Sequence, residues 1–415
     1  MPHVMLITGN ALCNNPRVQK EAETLAEAGI QVTVLGAWLS VEHKRRDLEL
    51  LVGARYRFEA VLDFADSRTD GWIVTRWARL RTGAARKLNN WLGLESRWPL
   101  GYAVDALLQR ALRSDADLFI AHSEAGLYAA RELQRSGRPA GVDMEDWFSE
   151  DLTPEARRGR PLSLLRALEG DVLRQASHAT CTSAAMSHAL MNRYACAAPT
   201  VIYNAFPWAT RATVDGQRKD RASSSCLSIH WYSQTLGPGR GLEDLMAALP
   251  LIRTDVEIHL RGQSASGYRE HLLQQLPAPY RQKIYFHDIV PGLELLSRIA
   301  EHDVGFSGEI SSILNKDLTV PNKILHYLLA GIPAMASNTR GHREVADRAP
   351  GAVFLWPTGD TPELVSQLDS LLLEADKLKR AKAAALAAAE RTFCWERCAP
   401  ALLASVEMAL GRRNA

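Results

Sequence analysis

Short apolar runs alternate with amphipathic stretches along most of the chain. Val4 to Thr8 is the first such run, of the kind that forms a strand buried on both faces. A loop follows from Gly9 to Asn15, and Pro16 suits the first position of a helix with Asn15 as its N-cap. Val18, Ala22, Leu25 and Ala26 then repeat at helical spacing until Gly29 stops the helix, and Gln31 to Leu35 reads as the next strand. This β-α-β unit puts the Gly9–Asn15 loop at the carboxyl end of its first strand, where parallel sheets bind ligands.

The pattern repeats. Strands are predicted at Asp117–Ala121, Ala179–Thr182 and Thr200–Tyr203, with a helix around Leu127–Leu133. A polar stretch rich in Arg, Ser and Lys, residues 207–225, reads as a linker. Beyond it, strands are predicted at Leu227–Trp231, Val256–Arg261, Ile284–His287, Val304–Ser307, Ala334–Ala336 and Val353–Leu355. Helices fall between them at Leu242–Leu251, Leu293–Ala300 and Asn322–Ala330, and an Ala- and Leu-rich helical tail runs from Glu363 to Leu410. Two such series imply two α/β domains, each a doubly wound parallel sheet, over residues 1–206 and 226–391.

Composition narrows the class. With 415 residues, 47% hydrophobic and 23% charged, the chain is not a disordered tail, a collagen-like repeat or a small disulfide scaffold. The balance of 49 basic and 47 acidic residues leaves a net charge of +2, so no global field points to nucleic acid. Of the six cysteines only Cys394 and Cys398 are close, on one helix face and without a second ligand pair, which favours buried thiols over zinc. The N-terminus passes from Met-Pro-His directly into Val4-Met5-Leu6-Ile7 without the layout of a signal peptide, and no apolar run approaches the roughly 20 residues of a membrane span. The expectation is a cytoplasmic protein.

Gly237-Pro238-Gly239-Arg240-Gly241 lies between a predicted strand and helix. Glycines there let backbone N–H groups approach an anion, and Arg240 adds a full charge, so the turn is either a diphosphate cradle or a tight turn with an incidental arginine. Neither the G-x-G-x-x-G fingerprint of dinucleotide folds nor a Walker lysine loop occurs.

Longer motifs carry a resemblance. Asn14-Asn15-Pro16-Arg17-Val18-Gln19-Lys20-Glu21-Ala22 resembles the "N-D-P-R-V-x-K-E-A" opening of GT-B glycosyltransferases of the family 4 type. Val201-Ile202-Tyr203-Asn204-Ala205 resembles their "V-I-x-N-G" segment at the domain junction. Val320-Pro321-Asn322-Lys323-Ile324-Leu325-His326-Tyr327, followed by Ala330-Gly331-Ile332-Pro333, is similar to "L-P-N-K-x-F-E-Y-x-A-A-G-x-P". Phe393-Cys394-Trp395-Glu396 resembles the "F-S-W-E" that opens a terminal helix, here 392–415, which crosses back to complete the N-terminal domain. The matches fall in the family's order over nearly the whole chain.

The resemblance implies the GT-B architecture: two Rossmann-like domains around a central cleft, the first on the acceptor side and the second binding a nucleotide-sugar donor. The activity it implies is retaining, metal-independent sugar transfer, with the nucleotide-diphosphate sugar as co-substrate and no other cofactor. Arg240 stands where the family has a lysine that neutralises the leaving diphosphate, while the partner arginine falls on Thr235. The family's E-x7-E pair falls on Leu318 and His326, so Glu309 on a Gly-bearing loop is the candidate replacement for the first member. Asn322 and Lys323 occupy the position where family backbone amides meet the β-phosphate, and Lys323 could restore the missing charge. His122 aligns with the "H-x-H-D" region, either as a proton acceptor facing the cleft or as a helix cap. Val142-Asp143-Met144-Glu145-Asp146-Trp147 resembles "Y-D-x-H-D-x-F", whose carboxylates would position acceptor hydroxyls or lie solvated on a loop. The candidate catalytic residues are therefore His122, Arg240 and Glu309, and the candidate donor-binding residues Gly9, Gly239, Gly241, Asn322, Lys323 and His326.

One region belongs to no family motif. Between Trp72 and Trp98, Arg76, Arg79, Arg81, Arg86, Lys87 and Arg97 interleave with Trp77 and Trp91 against one acid, Glu95. Such a segment suits the headgroup zone of an anionic leaflet, and a lipid-linked or saccharide acceptor would then be taken at the inner face of the membrane. The bland alternative is a helix with its tryptophans packed inward. The expected function is sugar transfer to a cell-envelope, polysaccharide or secondary-metabolite acceptor. The departures at Thr235, Leu318 and His326 keep open a GT-B-shaped binding protein without turnover, and a sugar-nucleotide epimerase is the third reading.

Overall fold

The computed structural model describes residues 1–66, 69–153, 157–221 and 226–411, so 222–225 of the expected linker and 412–415 of the expected terminal helix lie outside the described residues. The chain divides into two compact units. Unit 1 comprises Met1–Thr182, Met186–Ile202 and the chain from Ala399 onward; unit 2 comprises Ser183–Ala185 and Tyr203–Cys398.

Unit 1 carries strands β1 (His3–Ile7), β2 (Gln31–Trp38), β3 (Arg57–Asp63), β4 (Leu118–Ala121), β5 (Ala140–Met144), β6 (Ala179–Cys181) and β7 (Thr200–Val201). Its helices are α1 (Pro16–Glu27), α2 (Val41–Leu50), α3 (Thr69–Leu92), α4 (Val104–Leu112), α5 (Glu124–Arg135), α6 (Leu162–Arg174) and most of α7 (Ala184–Tyr194). All seven strands are parallel, in the order β3-β2-β1-β4-β5-β6-β7. β1 lies between β2 and β4, where the strand order reverses, and this switch point opens a ligand crevice at the carboxyl ends. Val4 to Ile7 have no exposed surface, as a strand covered on both faces requires.

Two of these strands escape the sequence pattern. β3 is half-buried along nearly its whole length at the sheet edge, so no continuous apolar run marks it. β5 is fully buried but reads as polar because Asp143 sits in its middle.

Unit 2 carries β8 (Leu227–Leu236), β9 (Val256–Ser264), β10 (Ile284–His287), β11 (Val304–Ser307), β12 (Ala334–Ser337) and β13 (Val353–Trp356), in the parallel order β10-β9-β8-β11-β12-β13. Its helices are α8 (Leu242–Ala248), α9 (Tyr268–Gln274), α10 (Ala278–Arg281), α11 (Gly292–Ala300), α12 (Leu314–Leu318), α13 (Asn322–Ala330), α14 (Arg340–Arg348), α15 (Thr361–Leu372) and α16 (Ala375–Arg391). The last helix, α17 (Trp395–Gly411), begins in unit 2 and continues in unit 1.

One face of the unit 2 sheet packs Ile229, Trp231, Ile258, Leu260 and Ile284 into an apolar core. By strand alternation the other face is polar and carries Ser228, His230 and Tyr232 on β8, His259 and Arg261 on β9, and His287 on β10. His302, just before β11, stacks on His230 at 4.5 Å and lies 4.7 Å from His259, whose Nδ1 is 2.9 Å from Nε2 of His287.

The segment expected to be a linker is bound to this unit. Trp208–Thr213 forms a 3-10 turn. Asp215 then pairs with Arg298 at 2.7 Å, Asp220 with Arg261, and Arg221 with Asp303 at 3.2 Å. Its charges read as solvated in the sequence because their partners lie about 75 to 85 positions away or on β9.

Candidate functional site

At the carboxyl ends of the unit 1 strands lies a pocket of about 820 Å³. Gly9 and Asn14 border it from the β1–α1 loop, Ser123 and Glu124 from the end of β4, and Glu145 and Asp146 from the end of β5. The loop is held from beneath by Asp47 of α2, which accepts hydrogen bonds from the Leu12 and Cys13 N–H groups at 2.8 and 2.7 Å and from Trp38 Nε1 at 2.9 Å. The Gly9 N–H donates to Ser123 Oγ at 3.0 Å, and the same oxygen caps α5 by accepting from the Gly126 N–H. Gly9, a donor-binding candidate, thus lies in unit 1, and the other such candidates lie in unit 2.

Beneath the pocket is a fully buried charge network. Arg17 donates from Nε and Nη2 to the two oxygens of Asp143, at 2.5 and 2.8 Å, and from Nη1 to the Ile202 carbonyl at 2.7 Å. Glu21 lies 3.2 Å from Arg17, one helical turn along α1. His122 sits between the two acids, 3.3 Å from Glu21 and 3.4 Å from Asp143. Its imidazole borders the pocket but has no exposed side-chain surface, so it is turned into the network and not toward an incoming acceptor. Burial favours its neutral form, yet Glu21 and Asp143 outweigh that and raise its pKa. Burial and the charge of Asp143 push Glu21 up to about 7. At the pocket wall, burial and Asp146 bring Glu145 to about 7 as well.

Glu21, His122 and Asp143 place one potential ligand atom each within 4.8 Å of one another, the spacing of a metal site. Arg17 already occupies the two carboxylates, so the position holds a tethered cation.

In unit 2, β8 runs into the turn 237–241, and α8 starts at Leu242. Gly241 has φ +67°, and a Cβ there would come 3.0 Å from the Gly308 Cα, so two glycine-bearing loops meet backbone to backbone. Glu309 follows that contact. Its N–H donates to Ser337 Oγ at 2.8 Å, and its buried carboxylate is surrounded by Lys323 at 3.2 Å, Arg240 at 3.5 Å and Lys316 at 3.6 Å. Burial would raise the pKa of Glu309, but Lys323, Arg240 and Lys316 together hold it below the usual carboxylate value. Lys323 is itself buried, which lowers its pKa, and its ammonium lies 5.6 Å over the Trp231 ring. Three cations around a single carboxylate leave uncompensated positive charge beside the turn.

The structure therefore brings together Arg240, Glu309, Lys323 and the Gly239–Gly241 turn, and adds Lys316, which the sequence reading passed over. Lys316 sits on the five-residue α12, too short for periodicity to reveal. Asn322 opens α13 and is exposed. His326 accepts from or donates to Tyr232 Oη at 2.6 Å and stacks on Phe206 at 3.4 Å, so both its ring face and Nδ1 are engaged. Leu318 is fully buried, and its carbonyl accepts from Ser183 Oγ at 2.6 Å.

No family profile and no curated protein matches the chain. Solved structures do. Sucrose-phosphate synthase from Thermosynechococcus elongatus superposes with a TM-score of 0.71 over 99% of this chain and 100% of its own, at 13% identity. This chain has the GT-B fold. HepE of Anabaena, in complex with UDP and glucose, gives a TM-score of 0.68 at 17% identity over 98% of this chain and 100% of its own. Trehalose 6-phosphate synthase from Burkholderia multivorans gives 0.65 at 12% identity over 100% and 99%. At such identities the likeness is one of GT-B architecture, and activity has to be argued from the residues.

The Trp72–Trp98 region resolves into two parts. α3 turns small or polar residues inward, with Thr75, Ala78, Thr82 and Ala85 buried. Its large apolar residues point out: Trp72, Ile73, Trp77, Leu80, Leu88, Trp91 and Leu92 are all exposed, Trp91 by 78%. Arg76, Arg79, Arg86 and Lys87 are exposed along the same helix. Arg81 of the same helix, with Arg97 and Trp98 beyond it, converges instead on Asp105, at 2.6, 2.6 and 3.3 Å. No helix among the described residues is long and apolar enough to cross a membrane.

Proposed function

We propose that the protein transfers a sugar from a nucleotide-sugar donor held by unit 2 to an acceptor hydroxyl held in the unit 1 pocket. The carrying observation is the trio Arg240, Lys316 and Lys323 around Glu309, beside a turn that lets backbone N–H groups approach an anion. As the glycosidic bond to the donor breaks, negative charge grows on the leaving diphosphate, and preorganised cations stabilise that charge more than the ground state. Lys316 and Lys323 supply what Thr235 cannot. HepE, with the same fold, is known in complex with UDP-glucose, which supports a donor of that class.

Glu145 and Asp146, at the pocket wall, are placed to orient acceptor hydroxyls, and a carboxyl poised near 7 can accept or donate a hydrogen bond. His122 acts one layer deeper, by fixing the charge state of Glu21 and Asp143. Side-chain cations in this role, together with the family resemblance, support a retaining and metal-independent transfer. The outward apolar face of α3, flanked by exposed arginines, supports docking on the anionic inner face of a membrane and an acceptor of the cell envelope.

Thermal unfolding against UDP, GDP, ADP, dTDP and CMP and their sugar conjugates tests the donor reading. A nucleotide at 100 times its Kd adds about 2.7 kcal/mol, and Arg240→Ala or Lys316→Ala abolishes most of that shift. No shift with any nucleotide overturns the reading. The closed environments of Leu318 and His326 favour a second reading, nucleotide-sugar binding without transfer, which a shift without turnover on any acceptor would select.

A further inference from the structure

The unit 1 pocket and the apolar helix share a wall. Arg86 and Asn90 of α3 line the pocket together with the loop Arg158–Gly159–Arg160. Gly159 has φ +76°, and a Cβ there would meet the Asn90 amide at 3.0 to 3.2 Å, so the loop rests directly on the helix that carries Arg86. Arg160 pairs with Glu124. Its pKa is nonetheless lowered, by burial first and, against the pull of Glu169, by the like charge of Arg86, and Arg158 lines the same pocket. Arg86 and Arg158 have no ion-pair partner among the described residues. The carboxylates Glu145 and Asp146 line the pocket from the end of β5. The lining thus combines acids at the strand ends with arginines of α3 and of the loop against it, and α3 also presents exposed tryptophan and leucine, three zones in all.

An acceptor that matches all three zones has sugar hydroxyls, then a phosphate or diphosphate, then a hydrocarbon chain. We propose that the pocket binds the head of a lipid-phosphate-linked saccharide, with Arg86 and Arg158 as ligands of the phosphate and the chain leaving along the outward face of α3. Guanidinium forks suit phosphate oxygens, and a membrane-seated helix lets the chain stay in the leaflet while the head enters the protein. The inference deepens the acceptor side of the proposed function and rests on that reading of unit 1.

Calorimetric titration of the full-length protein with farnesyl diphosphate, inorganic diphosphate and farnesol tests it. Farnesyl diphosphate binds at least tenfold more tightly than either part alone, and the double variant Arg86→Ser, Arg158→Ser loses at least tenfold of that affinity. Arg158→Ser alone, on an exposed loop residue, loses a smaller part, and an unfolding temperature without ligand within a few degrees of wild type shows that both variants are folded. If inorganic diphosphate binds as tightly as farnesyl diphosphate, the site is one for soluble phosphates and the lipid assignment fails. If farnesol binds as tightly, or if the double variant binds unchanged, the arginines do not hold a phosphate. A nucleotide panel without any shift sinks the donor reading instead, and leaves this titration able to succeed or fail independently.

Discussion

Arg17 has no exposed surface, and its guanidinium is shared between Asp143, Glu21 and the Ile202 carbonyl. Removing a partner from a buried charge network leaves the remaining charges desolvated, which is why such losses are large. Arg17→Met should therefore lower the unfolding free energy of unit 1 by about 3–5 kcal/mol, read from urea unfolding. A change below about 1 kcal/mol would show that Glu21 and Asp143 relax into water. Arg17 is plain in the sequence as part of a nine-residue motif, and so is Asp143. Their contact is not, because 126 positions separate them and β5 looks like a loop when its one ionised residue is read as solvated. His122 shows the same limit. The strand end that carries it is legible, but whether the ring turns out to solvent or in to Glu21 depends on acids supplied by α1 and β5.

At the scale of an element, α3 inverts the usual amphipathic arrangement, with the smaller side chains packed and the larger ones in solvent. The sequence shows the arginines and tryptophans but not the face they occupy, since both alternatives use the same period. Replacing Trp77, Leu80 and Trp91 with Ser should leave thermal stability within a few degrees, because Thr75, Ala78, Thr82 and Ala85 make the inner contacts. The same variant should no longer sediment with phosphatidylglycerol vesicles, while the wild type does so and ignores phosphatidylcholine. Sedimentation equal to wild type would rule out docking through this face. Arg81 is a poor choice for such a test, because it is tied to Asp105.

At the scale of the whole molecule, the two units answer acid in opposite ways. In unit 2, burial above all depresses the histidines, to about 2 for His259 and about 4 for His302, with His230 and His287 also lowered; Asp220 opposes the shift at His302 and His287, and His342, depressed chiefly by burial, lies at about 4. Asp220, Arg261, Arg221 and Glu257 surround the cluster. An imidazole neutral in the fold and protonated when unfolded costs stability as pH falls below its unfolded value near 6.5, by up to about 1.4 kcal/mol per pH unit. In unit 1, Glu21 and Glu145 are raised to about 7 and His122 is raised too, so their contribution is complete at low pH and fades as pH rises through 7; His178, at about 4, opposes them. Between pH 7 and 5 the melting of unit 2 should drop by several degrees while that of unit 1 holds or rises, resolved by calorimetry with hydrogen exchange to assign each transition. Parallel shifts in both would contradict the histidine cluster as the acid-sensitive part. The strand series that defines each unit is legible from apolar runs alone, whereas this cluster is not: its members look like scattered histidines until β8, β9 and β10 bring them to one face.

The proposed seating of α3 on a leaflet, with the pocket sharing that wall, carries a kinetic consequence. An enzyme seated on a leaflet meets its acceptor by diffusion in two dimensions, so its turnover follows the mole fraction of acceptor in that leaflet and not its molarity. Diluting the acceptor with inert lipid slows such an enzyme at fixed bulk concentration, and crowding acceptor into small anionic domains speeds it without any change in the catalytic groups.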